Sequence, residues 1–93
     1  MVEGQEKTKE FIIRNKLGLH LRPAGLLVKT ANKYKSDITV EKDGVQVDGK
    51  SIIAITTLNA TKNSTITIKA CGQDADQALE ELERLIAGNF EEK

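Results

Sequence analysis

The sequence predicts an α+β fold in the order βαββαβα, a four-stranded antiparallel sheet covered on one face by three helices. Three observations carry that expectation. Four short stretches alternate apolar with polar side chains, as half-buried strands do. Asp43 and Gly44 stand between two of those stretches, and both residues tolerate the positive φ of a tight hairpin turn. Two longer runs repeat their apolar residues at helical spacing.

Each element follows from its own residues. Phe11 and Ile13 alternate with Glu10 and Arg14, which predicts a first strand at about 8 to 14. Asn15 to His20, with Gly18 inside, reads as a loop. Ala24, Leu27, Val28 and Ala31 recur at i, i+3, i+4 and i+7, which predicts a helix from Leu21 to about Tyr34. Pro23 supports that start, since the first four N–H groups of a helix lack intrahelical partners and a proline in that turn forfeits little. Ile38 with Val40, and Val45 with Val47, form the hairpin strands. Ile52, Ile55 and Leu58 recur at helical spacing after Ser51, so a short helix is expected at about 51 to 58, despite β-branched residues that disfavour it. Thr65 to Ala70 alternates cleanly as the fourth strand, and Gly72 ends it. A capping-box-like Asp74 and Gln77 open a last helix at about 75 to 87, closed by Gly88 as its C′ residue.

Composition bounds the function. Ninety-three residues fit one domain, 1–93, with residues 1–7 expected as a flexible tail. Fourteen basic and fourteen acidic residues cancel, and the aromatics are Phe11, Tyr34 and Phe90, so neither a phosphate-tracking surface nor a base-stacking platform is offered to nucleic acid. No leader-like apolar segment and no run near the roughly 18 apolar residues of a membrane span is present, which predicts a cytoplasmic protein without membrane insertion. Cys71 is the one cysteine, so no internal disulfide forms, and it reads as a small packing residue at a strand end. One histidine without paired carboxylates makes no metal site, and no cofactor is expected.

The chemistry concentrates at His20, the one histidine, beside Pro23, the one proline. An imidazole titrates near neutrality and offers a nucleophilic nitrogen to a transferable group. At the N-cap of the predicted helix, its ring stands beside the N–H groups of Leu21 and Arg22, and the positive end of the helix favours an anion there. Arg22 adds a guanidinium that is always charged and matches phosphoryl oxygens in shape. The three parts form one candidate site for phosphoryl chemistry.

Asn15-Lys16-Leu17-Gly18-Leu19-His20-Leu21-Arg22-Pro23-Ala24 resembles the active-site segment of the HPr family, the histidine-containing phosphocarriers of the bacterial phosphoenolpyruvate:sugar phosphotransferase system. The likeness continues through Asp48-Gly49-Lys50-Ser51-Ile52-Ile53 and into the helix from Ala78 to Ile86. The resemblance implies an open-faced β-sandwich and a phosphocarrier, not a free-standing enzyme. His20 would accept a phosphoryl group on Nδ1 from enzyme I, assisted by Arg22, and pass it to an enzyme IIA domain. Ser51 would match the family's regulatory serine, phosphorylated by an HPr kinase/phosphorylase, although a helix cap alone also explains a serine there.

Leu21, Arg22, Leu26, Ile52 and Ile53 are the candidate docking residues, with Ile55 and Leu58 assigned to the core. Leu21 stands where the family often has a small residue, and Gly25 weakens the first helix. A regulatory paralogue, serving a nitrogen branch or switched at Ser51, is the alternative to a sugar-uptake carrier. A monomer is expected in either case.

Overall fold

The computed structural model describes residues 5–91. Its elements follow the expected order: β1 (Gln5–Ile12), α1 (Leu21–Ala31), β2 (Asp37–Lys42), β3 (Val45–Asp48), α2 (Ile52–Thr57), β4 (Thr65–Gly72) and α3 (Ala75–Ala87), then a 3-10 turn at Asn89–Glu91. The strands form one sheet in the order β1-β4-β2-β3, and every pairing is antiparallel. The helices pack on one face, so the architecture is the expected open-faced sandwich. Asp43 and Gly44 close the β2–β3 hairpin with φ of 53° and 83°, as a turn with two left-handed residues requires.

The core lies between sheet and helices. Ile38, Val40, Ile66, Ile68 and Ala70 project inward from β2 and β4, against Ala24, Leu27 and Ala31 of α1, Ile55 of α2, and Ala75, Ala78 and Leu82 of α3. Small alanines at the helix contacts let the helices sit close to the sheet. Along the edge strand β1 the inward side is charged toward its N-terminal end: Lys9 pairs with Glu83 of α3 at 2.7 Å and Lys7 approaches Asp76 at 3.7 Å.

Several boundaries differ from expectation, each for a physical reason. β1 begins at Gln5, so residues 5–7 are strand and not tail, with Gln5 opposite Gly72 and Lys7 opposite Ala70. The rest of the predicted tail lies outside the described residues. Ile13 leaves the strand yet stays fully buried, its N–H donating to the Ser64 carbonyl at 2.9 Å. α1 stops at Ala31, short of Tyr34, because the Asn32 carboxamide turns back onto the Val28 carbonyl at 3.0 Å.

Asp74 does not cap α3 with its side chain. Its carboxylate instead accepts from the N–H groups of Lys35 and Ser36, both at 2.9 Å, and from the Ser36 hydroxyl. These three donors, the Ser36 hydroxyl foremost, hold the Asp74 pKa below the usual carboxylate range. Gly88 ends α3 at φ −87°, not left-handed; the left-handed residues are Asn89, Phe90 and Glu91. That turn drives Phe90 into the core at 1% exposure. Cys71 is exposed on β4, not a packing residue.

Candidate functional site

The loop that presents His20 is fastened from beneath. Gly18 has φ of 68°, and a β-carbon there would meet the Ala60 carbonyl and the Thr61 Cα at 2.7 Å, so only glycine fits. The next residue, Leu19, is buried and donates its N–H to that same Ala60 carbonyl at 2.8 Å. Asn15, itself buried, closes the loop from inside: its carbonyl accepts from Gly18 N–H at 3.0 Å and its Nδ2 donates to the Gly18 carbonyl. The sequence places Asn15 in this loop without giving its side chain a role. An asparagine three residues before a glycine is the turn signal that points to that role.

His20 takes the N-cap position of α1 with extended backbone, φ −76° and ψ −171°, and its carbonyl accepts the first helical bond, from Ala24 N–H at 2.9 Å. Its side chain does not cap the helix. It is half-buried, so the ring is reachable from solvent. Pro23, buried at the third helical position, has no N–H to offer. The first-turn amides that helix geometry leaves for an external acceptor are therefore those of Leu21 and Arg22. Arg22 is exposed. An anion at the mouth of α1 would meet two backbone donors, a positive helix end and an adjacent guanidinium, each a favourable contact for phosphoryl oxygens.

Around this mouth the structure gathers most of the predicted docking residues. Leu21 is 68% exposed and Ile53 75%, large values for apolar side chains, and Ile52 is at 37%. Ile52 reaches across to α1, where its Cδ1 lies 3.5 Å from a β-carbon position at Gly25. Leu26 departs from the expectation in part, being half-buried and packed against the core. Leu17, not foreseen, adds a further exposed apolar side chain at 68% just before Gly18. Ile55 and Leu58 are core, as predicted.

Ser51 precedes α2 at its N-cap, its Oγ accepting from Ala54 N–H at 3.3 Å. It is half-buried. The preceding Lys50 ties this corner to the end of α1: its Nζ donates to the Tyr34 carbonyl at 2.7 Å. Tyr34 in turn donates its hydroxyl to Glu81, which Lys33 also bonds. The Lys33 and Tyr34 donors hold Glu81 below the usual carboxylate pKa, and the bond to Glu81 raises the Tyr34 hydroxyl above its own. Among the described residues no group of three or more metal-ligating side chains forms.

Comparison with known proteins fits this geometry. The family model described as the PTS HPr component phosphorylation site matches residues 7–88. The chain is 45% identical over 78 residues to the phosphocarrier protein HPr of Borreliella burgdorferi, covering 84% of this chain and 91% of that one. It is 43% identical over 70 residues to the HPr-like protein Crh of Bacillus subtilis, covering 75% and 82%. Among solved structures it superposes on HPr-C-His from Thermoanaerobacter tengcongensis with a TM-score of 0.91 at 41% identity, covering 94% of this chain and 98% of that one.

Proposed function

The chain belongs to the HPr family of phosphotransferase-system phosphocarriers, and from that premise we propose that His20 is the residue that carries the phosphoryl group. The observation that supports this most is the position of the one histidine at the N-cap of α1, with Leu21 and Arg22 as the first two residues of the helix. In the forward step a lone pair on the imidazole, Nδ1 by family resemblance, attacks the phosphorus held by enzyme I. The new N–P bond forms as the bond to the donor breaks in line. The second step reverses the roles: an enzyme IIA nucleophile attacks and the electron pair returns to the His20 ring. No cofactor is needed, because the partners deliver and remove the group.

The surroundings suit a transient load. The phosphoryl oxygens draw on backbone dipoles and one exposed guanidinium, contacts strong enough to orient the group and weak enough for an acceptor to outbid. The segments that build this end, 13–26 and 49–64, contain no acidic residue, while they hold Arg14, Lys16, Arg22, Lys50 and Lys62. A partner surface with carboxylates around an apolar centre complements that rim and would steer association in a salt-dependent way.

Transfer of label from enzyme I and phosphoenolpyruvate tests the reading. Acid-labile, base-stable label on the wild-type protein and none on His20→Ala is expected. An unlabelled wild type in the presence of active enzyme I, or a fully labelled variant, would refute it. A chase with candidate IIA domains then identifies the acceptor and separates sugar uptake from a nitrogen-branch role. No helix among the described residues is long and apolar enough to cross a membrane.

A regulatory reading has its own support in the likeness to Crh and in the half-exposed Ser51 at the start of α2. A phosphate on that hydroxyl, placed by an HPr kinase/phosphorylase, would set a dianion beside Ile52 and Ile53 and oppose docking of an acidic partner. If Ser51→Asp abolished binding to a target while His20→Ala left it intact, the serine and not the histidine would be the functional residue.

A further inference from the structure

Among the described residues no helix packs on the face of the sheet turned away from the core, and its charge is opposite to that of the His20 end. Side-chain alternation places Glu6 and Glu10 of β1, Asp37 and Glu41 of β2, and Asp48 of β3 on this face, with Lys69 of β4 as its one basic residue. Cross-strand register brings them together: Glu10 lies opposite Thr67, which lies opposite Glu41, and Glu6 and Asp37 flank Cys71. Lys69 Nζ is 3.9 Å from Glu6, leaving four carboxylates on the face beyond that pair. The remainder of the face is largely threonine, which gives it a flat, polar character.

The segregation runs through the whole chain. From Phe11 to Ser36 there are six basic residues and no acid, and from Gly49 to Gln73 three basic residues and no acid. The acids fall in the remaining segments, five of them on the open sheet face, so a formal net charge of zero hides an uneven distribution. Nothing in the overall charge keeps two copies apart.

We propose that the open sheet face is a docking surface for a second copy of this chain, which places its cationic His20 end on the carboxylates. Charge complementarity selects this occupant: Arg14, Lys16 and Arg22 supply fixed cations to a face carrying five carboxylates and one ammonium. The contact is heterologous, one surface meeting a different one, so each added copy leaves a free face at either end and the assembly grows until the rotation between copies closes it into a ring. Docking of this kind covers His20 of the incoming copy, and self-association therefore competes with any acidic-surfaced partner. This departs from the monomer expected from the sequence.

Sedimentation equilibrium of the purified protein is the direct test, at about 10 mM and at about 1 M salt, where the screening length falls from roughly 30 Å to roughly 3 Å. A mass that climbs with concentration at low salt and returns to 10.2 kDa at high salt is expected. The paired variants Glu10→Gln/Glu41→Gln and Arg14→Gln/Lys16→Gln each keep the fold, because all four side chains are exposed or half-exposed surface groups. Each variant alone should associate several-fold more weakly than wild type. Mixed together they should form one-to-one pairs that grow no further, since one copy keeps its cationic end and the other its acidic face. A wild-type mass fixed at 10.2 kDa at low salt, association that persists at 1 M, or variants that fail to pair when mixed would each overturn the proposal. None of these readings involves phosphoryl transfer, so they stand apart from the role proposed for His20.

Discussion

Gly18 and Ala60 meet through their backbones: the Ala60 carbonyl accepts the N–H of the residue after Gly18 and fills the space a side chain at Gly18 would need. The loop carrying the candidate acceptor is thereby fixed to the connection between α2 and β4. Gly18→Ala combines a left-handed φ with a backbone collision and should destabilise the fold by about 2 to 4 kcal/mol. Thermal unfolding measures the loss. Phosphoryl acceptance per folded molecule should fall as well, because the loop must shift to relieve the clash.

Arg22→Ala removes an exposed guanidinium and no buried contact, so its stability should match wild type within about 0.5 kcal/mol. Phosphoryl transfer from enzyme I should slow by about tenfold or more, equivalent to about 1.4 kcal/mol of lost stabilisation in transfer. A stopped-flow or quench-flow time course with equal transfer rates for the two proteins would remove Arg22 from the site.

Gly25→Ala should stabilise the protein. A β-carbon there meets only Ile52 Cδ1 at 3.5 Å, ordinary van der Waals contact, and the φ needs no glycine. Relieving the helix of a glycine contributes about 0.5 to 1 kcal/mol, a rise of a few degrees in Tm for a domain of this size. A fall in Tm on calorimetry would mean that α1 and α2 approach more closely than this spacing.

Phe90→Ala should be among the most damaging core substitutions, costing about 3 kcal/mol or more. The left-handed run through Asn89, Phe90 and Glu91 persists against its own strain only while the ring is buried. Hydrogen exchange should therefore show the end of α3 losing protection in this variant beyond what the global loss of stability explains.

Acid sensitivity should trace to Asp74. Its folded-state pKa is depressed by the Ser36 hydroxyl and the Lys35 and Ser36 amides, so its contribution is fully present above the ordinary value near 4 and is lost as pH falls through the folded-state value. Glu81, held down by Lys33 and Tyr34, acts in the same direction. Denaturant titrations of wild type and Asp74→Asn should differ by a constant amount from about pH 7 to about pH 5 and converge below about pH 4. A gap that widens on acidification would contradict the assignment.

The hairpin, the three helices and the place of His20 at the start of α1 are legible, because each rests on a local signal: Asp43-Gly44, apolar period, and a proline in the turn after the imidazole. The misreadings share a cause, in that a distant partner decided them. The beginning of β1 is polar on both sides, its inward lysines paid for by acids on α3, so no alternation marks it. Asp74 has the spacing of a cap but serves the turn before β2. Tyr34 continues the apolar period of α1, yet Asn32 has already ended the helix. Ile52 and Ile53 are adjacent on a short helix, and the structure leaves both exposed.

The pairing of Gln5 with Gly72 and of Ile12 with Thr65 has a consequence for synthesis. β1 must wait for its partner β4 to leave the ribosome, several seconds at ordinary translation rates of about 5 to 20 residues per second. During that delay the loop above it has nothing to lean on, since Ala60 and Ser64 emerge just ahead of β4. The candidate imidazole thus reaches its position only after β4 has emerged, and products truncated before β4 should be inert as phosphate recipients even where their early helix has formed.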